Sequence, residues 1–175
     1  VRLSEANNPL VIIFASSKLR VDETTRKLRA NGFPALAMHG GKDQHEREWV
    51  LREFRDGKSP ILLATDVAAR GLDVPGVTTV VNMDAPNTVE DYVHRAGRTG
   101  RAGNVAGCKA HTFLVSALNG DRKLARELTK LLAANDKEKE VTRELLDMAQ
   151  DKSLDRGFVK QQNAVAGTLG GGKSF

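Results

Sequence analysis

Cysteine is nearly absent: Cys108 stands alone in 175 residues. A single thiol excludes an intrachain disulfide and any thiolate cluster around a metal. It fits a reducing compartment, cytoplasm or nucleus. The histidines (His39, His45, His94 and His111) are scattered, with no H-x-x-x-H pair, so no zinc site is expected. Aromatic residues make up only 5% of the chain, with one tryptophan and one tyrosine. So few rings argue against a surface that holds nucleic acid by stacking its bases. Trp49 falls inside a helical stretch after Gln44 and is expected in the core. No apolar run is long enough to span a membrane, and no signal-like segment opens the chain. The first residue is Val1, as expected of a fragment or excised domain.

What is present has the proportions of a globular domain, with 40% hydrophobic and 28% charged residues. A formal charge of +5 permits a polyanionic partner without demanding one. Short apolar runs alternate with longer amphipathic ones. LVIIFA (10–15), ALAMH (35–39), ILLAT (61–65), TTVVNM (78–83) and CKAHTFLV (108–115) read as strands. Between them lie helical segments: one ends at Asn31-Gly32, one starts at Asp43 with Glu46 three residues on, and one starts at Thr88 with Asp91. Leu124, Leu128, Leu131 and Leu132 mark one helical face, and residues 140–150 a further helix. Alternating strands and helices predict an α/β fold, a mostly parallel sheet flanked by helices over residues 1–150. Residues 151–175 are polar and glycine-rich without periodicity, the composition of a disordered tail.

That tail contains Gly167 and then Gly172-Lys173-Ser174, the G-x-x-x-x-G-K-[ST] spacing of a phosphate-binding loop. Such a loop needs a strand before it and a helix after it, whose N-terminal amides meet the phosphates. Only Phe175 follows Ser174, so the segment reads as tail. A stronger signal is YVHRAGRTGRAG (92–103), where Arg95, Arg98 and Arg101 recur with Gly97, Gly100 and Gly103 between them. Interior glycine costs a helix about 1 kcal/mol against alanine, and closely spaced arginines repel. The pattern suits guanidinium and backbone groups that approach a compact anion such as a triphosphate.

His94-Arg95-Ala96-Gly97-Arg98-Thr99-Gly100-Arg101 resembles the H-R-x-G-R-x-G-R motif of DEAD-box RNA helicases. VIIFASSK (11–18), HGG followed by Gln44-x-x-Arg47, TDVAARGLD (65–73) and VVNMDAP (80–86) resemble further motifs of that family, in its order. The resemblance runs from about residue 10 to 135 and matches the second of the family's two RecA-like domains. It implies a RecA-like three-layer fold and a partner, the N-terminal RecA-like domain, that carries the P-loop, the Asp-Glu-Ala-Asp box and the Mg2+ bound with ATP. Arg98 and Arg101 would then be arginine fingers toward the γ-phosphate. Gly71 and Asp73 would meet the ATP ribose, and His94 and Arg95 would couple the two domains. Ser17, Gly41, Arg47 and Thr65 would contact RNA phosphates and sugars, independent of sequence. Ser17 stands where many members of the family carry threonine. Helix N-capping by Ser17, and a pairing of Arg47 with Asp43, are the structural alternatives for those side chains.

Two functions of different class follow. One is half of an ATP-dependent RNA helicase, inactive alone for want of the P-loop. The other is a binding module for RNA or a regulatory protein, without turnover. A DNA helicase of a related group is disfavoured by His94 and by the H-G…Q-x-x-R segment.

Overall fold

The structure is a computed structural model that describes residues 9–100, 107–135 and 137–151. The chain forms two compact units, Val1–Phe113 and Leu114–Phe175. In the first, β1 (Leu10–Phe14), α1 (Lys18–Ala30), β2 (Ala35–Met38), α2 (Gln44–Arg55) and β3 (Ile61–Ala64) follow in turn. Then come the single-turn α3 (Asp66–Ala69), β4 (Val77–Asn82), α4 (Val89–Ala96) and β5 (Lys109–Thr112). Among the described residues the strands form one sheet of five in the order β2-β3-β1-β4-β5. Every neighbouring pair is parallel.

Strand alternation sorts the apolar runs onto two faces. Leu10, Ile12 and Phe14 of β1 share one core with Leu36, Met38, Leu62, Val80 and the α2 residues Val50 and Phe54. Ile13, Ala35, Ala37, Ile61 and Leu63 face the other way, against Val21 and Leu28 of α1. Right-handed crossovers require this arrangement. The connection from β1 to β2 runs one way along the sheet and its helix covers one face. The returning connections through α2 and α3 cover the opposite face. Phe54 is fully buried, and replacing such a side chain by alanine costs about 3–5 kcal/mol.

Local signals set the helix starts. Asp43 accepts from the Glu46 amide at 2.8 Å, and Thr88 from the Asp91 amide at 3.1 Å. The last strand is shorter than its apolar sequence. It ends at Thr112, opposite Asn82, the last residue of β4, and the Phe113 amide makes the final bond of that ladder to the Asn82 carbonyl at 3.1 Å. Trp49 is not core: half of it is exposed. The inward face of α2 is taken by Val50 and Phe54, one turn apart, and the preceding position is rotated about 100° away from that face.

The second unit holds α5 (Asn119–Ala134), a 3₁₀ turn (Glu138–Glu140) and α6 (Arg143–Gln150). Arg122 of α5 pairs with Asp151 at 2.6 Å, and Arg126 donates to the Ala149 carbonyl at 2.9 Å. These contacts satisfy carbonyls that the end of α6 leaves open. Arg101 and the glycine-rich segment 152–175 lie outside the described residues.

Candidate functional site

In an open parallel sheet, ligands collect outside the carboxyl ends of the strands, where neighbouring strands send the chain in opposite directions. Here those neighbours are β1 and β4. Their ends are tied together: the Ser16 amide donates to Asp84 Oδ2 at 2.8 Å, and Arg20 pairs with Asp84 at 3.0 Å.

Arg95 organises this end of the sheet. It is 4% exposed, and its guanidinium grips both carboxylate oxygens of Asp66, at 2.6 and 2.7 Å. Nη1 donates to Asn82 Oδ1 at 3.2 Å and to the Asp84 carbonyl at 2.8 Å. The cation lies 5.1 Å from the centre of the Phe14 ring. A two-pronged arginine–carboxylate pair with further acceptors is the arrangement that can hold charge away from water. It joins the start of α3, the end of β4 and α4. The Arg95 guanidinium is turned inward within its own unit.

Beside it lies a cavity of about 230 Å³, lined in part by Asp66, Arg70, Gly71, His94, Arg95 and Arg98. Gly71 has φ of 76°, a left-handed conformation that a side chain would strain, and nothing lies within 4 Å of where a Cβ would be. The cradle is open there, with room for a ligand to approach the backbone. Arg98 folds back along α4, donating to the His94 carbonyl at 3.0 Å and the Leu72 carbonyl at 2.8 Å. Asp73 is exposed two residues beyond Gly71.

Ser17, Gly41 and Thr65 follow β1, β2 and β3, which are adjacent in the sheet. Parallel strands about 4.8 Å apart place those three loops along one rim. Ser17 caps α1, accepting from the Arg20 amide at 3.2 Å. Thr65 occupies the corresponding position before α3, with no capping hydrogen bond from its side chain. Arg47, one turn into α2, is half-buried, and its Nε is shielded from solvent with no hydrogen-bond partner among the described residues. No pairing with Asp43 forms, since Asp43 caps the helix instead. The Gly41 amide donates to His39 Nδ1 at 3.1 Å.

The sequence reading brought Ser17 and Thr65 to strand ends, where they stand; Gly71 follows α3, His94 lies within α4 and Arg98 just beyond it. It assigned no role to Asp66, Asn82, Asp84, Phe14 or Asp22 in holding them. Asp66 and Arg95 are separated by 29 positions, and His39 and Asp22 by 17. No local spacing signals such pairs. Among the described residues no group of three or more His, Cys, Asp or Glu is arranged to hold a metal, and no helix is long and apolar enough to cross a membrane.

A parallel three-layer α/β domain with arginines and glycines gathered beyond its strand ends defines a RecA-like domain as the class. Residues 1–103 match the model of the helicase conserved C-terminal domain. The ATP-dependent RNA helicase DBP2 of Scheffersomyces stipitis is 57% identical over 122 residues, which are 70% of this chain and 22% of that protein. A crystal structure of the yeast DEAD-box splicing factor Prp28 superposes with a TM-score of 0.71 at 36% identity, covering 82% of this chain and 31% of that one. The E. coli DEAD-box protein SrmB, solved bound to regulator of ribonuclease activity A, superposes with a TM-score of 0.63 at 31% identity, covering 72% and 73%. The chain belongs to the helicase C-terminal domain family and is the second domain of a DEAD-box RNA helicase. It spans about a fifth of the length of the curated relatives it matches.

Proposed function

We propose that this domain completes an ATP hydrolysis site held mainly by a preceding RecA-like domain, and that it grips the RNA backbone along a separate rim. The observation that carries this reading is the separation of the two residue sets. Ser17, Gly41 and Thr65 lie at the ends of adjacent strands β1, β2 and β3, whereas Arg98, His94 and Gly71 line the cavity between α3 and α4.

On the nucleotide side, Gly71 and Asp73 meet the ribose, and Arg98 and Arg101 reach the γ-phosphate. A guanidinium placed there stabilises charge that spreads over the transferring phosphoryl oxygens, worth about 10³–10⁵ in rate for NTPases in general. Arg98 must leave the His94 and Leu72 carbonyls to do this, an exchange that a charge-assisted bond to phosphate favours. His94 and Arg95 transmit closure of the two domains. Mg2+ is bound by the preceding domain. The chain alone therefore binds without turning over ATP.

On the RNA side, Ser17, Arg47, Gly41 and Thr65 offer hydroxyl, guanidinium and a bare backbone, groups suited to phosphate and sugar and not to base edges. The protein works in cytoplasm or nucleus, and regulatory proteins dock on the domain, as regulator of ribonuclease activity A does on SrmB. In the two-domain protein, Arg101→Ala should abolish ATP hydrolysis while RNA binding persists in part. Arg47→Ala should weaken binding to all RNA sequences alike and lower the salt slope by about 1, the loss of one phosphate contact. ATPase assays beside filter binding across a salt series test the division, and equal damage to one activity by both variants would refute it.

We further propose that residues 1–150 make the domain and that, beyond the Asp151 contact with Arg122, the segment 151–175 adds little to it. Deleting 160–175 should shift the melting temperature by less than a degree or two, since a segment of that composition buries too little to offset its ordering entropy.

A further inference from the structure

His39 is polar and 7% exposed, yet no role in binding or hydrolysis has been given to it. Its ring is held at both nitrogens. Nε2 lies 3.1 Å from each carboxylate oxygen of Asp22 on α1. Nδ1 lies 3.1 Å from the Gly41 amide nitrogen. A backbone N–H can only donate, so Nδ1 must be the bare, accepting nitrogen. Nε2 then carries the proton and donates it to Asp22. The imidazole is neutral and in one tautomer.

The same residue closes the turn a second time, through its backbone. The His39 carbonyl accepts from the Lys42 amide at 3.1 Å. The next residue, Asp43, caps α2, the helix that carries Arg47. His39 thus links α1 to the entry of α2 through the glycine pair between them. The glycines are not equivalent in this. A Cβ on Gly41 would come within 3.1 Å of His39 Nδ1 and 3.2 Å of Cε1. A Cβ on Gly40 would meet nothing closer than Lys18 Cε at 4.0 Å. A side chain on Gly41 would therefore crowd the ring and push it from its place.

We propose that His39 is a positioning residue for RNA backbone binding: its neutral, Nε2-protonated ring, braced by Asp22, holds the Gly40-Gly41 turn and with it the start of α2. The inference rests on the reading of Ser17, Gly41, Arg47 and Thr65 as the RNA rim. It also makes Gly41 a residue that lets the backbone approach RNA closely, since its own N–H is committed to His39.

The test uses the 175-residue chain and a fluorescent single-stranded oligoribonucleotide. Long-range proton–nitrogen spectra of the imidazole should show Nδ1 unprotonated; a proton on Nδ1 would overturn the proposal. His39→Phe keeps a buried ring without an acceptor and should weaken RNA binding about tenfold, the scale of one lost positioning hydrogen bond. His39→Asn should restore affinity to within about threefold, because an asparagine oxygen accepts from the amide two residues on. Gly41→Ala should weaken binding comparably and Gly40→Ala should not, a contrast that survives even if His39→Phe fails to fold. Equal binding by Gly40→Ala and Gly41→Ala, or no rescue by asparagine, would sink the role of His39 while a loss in Arg47→Ala kept the rim itself standing. If Arg47→Ala bound RNA like the parent, the rim reading would fall and this inference with it.

Discussion

The strand-end crevice around Arg95 and the rim of Ser17, Gly41, Arg47 and Thr65 occupy the same end of the same sheet, yet they are built differently. Around Arg95 the contacts are charged, short and distant in sequence: Asp66 at 2.6 Å, Asn82 and Asp84, with Phe14 beneath. Along the rim most are local, the bond of His39 to Asp22 apart. Ser17 bonds three residues ahead, Asp43 three residues ahead, and His39 two residues ahead. The difference suits the two tasks proposed for them. A group that stabilises a transferring phosphoryl must be held to a fraction of an ångström, and a buried charge network supplies that stiffness. A chain of phosphates tolerates variation from one nucleotide to the next, and loops with helix caps are enough to present the donors.

The largest effect should come from Arg98→Ala in the two-domain protein: hydrolysis falling about 10³-fold or more, with the unfolding midpoint little changed. Urea unfolding beside a phosphate-release assay checks both, and a large stability loss would show that Arg98 belongs to the framework with Arg95. Next in size is the framework itself. Asp66→Ala strands a buried guanidinium and should destabilise the chain by about 3–5 kcal/mol. Arg95→Met should cost less, because Asp66, a third exposed, can turn to water. Chemical denaturation of both variants tests that order, and the reverse order would mean that the Asn82 and Asp84 contacts outweigh the ion pair. The smallest effect belongs to the rim. Ser17→Ala removes the cap of α1 at a cost of about 1 kcal/mol, and Ser17→Thr should restore most of it. RNA affinity measured on the same pair separates cap from ligand: if threonine restored stability without affinity, Ser17 would act at the rim through something other than its hydroxyl.

Much of this was readable from residue order. The motif HRAGRTGR, the strand runs and the caps at Asp43 and Thr88 are local signals, and local signals survive without tertiary context. Trp49 was not readable. Its position relative to Val50 and Phe54 fixes which way it faces, but which stripe of α2 meets the sheet depends on the sheet being there. Arg95 was readable as a member of an arginine cluster but not as its buried anchor, because its inward turn is decided by where Asp66 and Asn82 arrive.

By itself, then, the order of residues determined the family, the alternation of strands and helices, and the placing of unusual residues at strand ends, since those follow from periodicity and short-range hydrogen bonding. The tertiary structure alone decided which arginine is the buried framework, and that the His39 ring bridges Asp22 and Gly41. Those outcomes depend on groups 11 to 29 positions apart meeting at the end of the sheet, and a charge or a ring nitrogen takes its role from the partner it meets there.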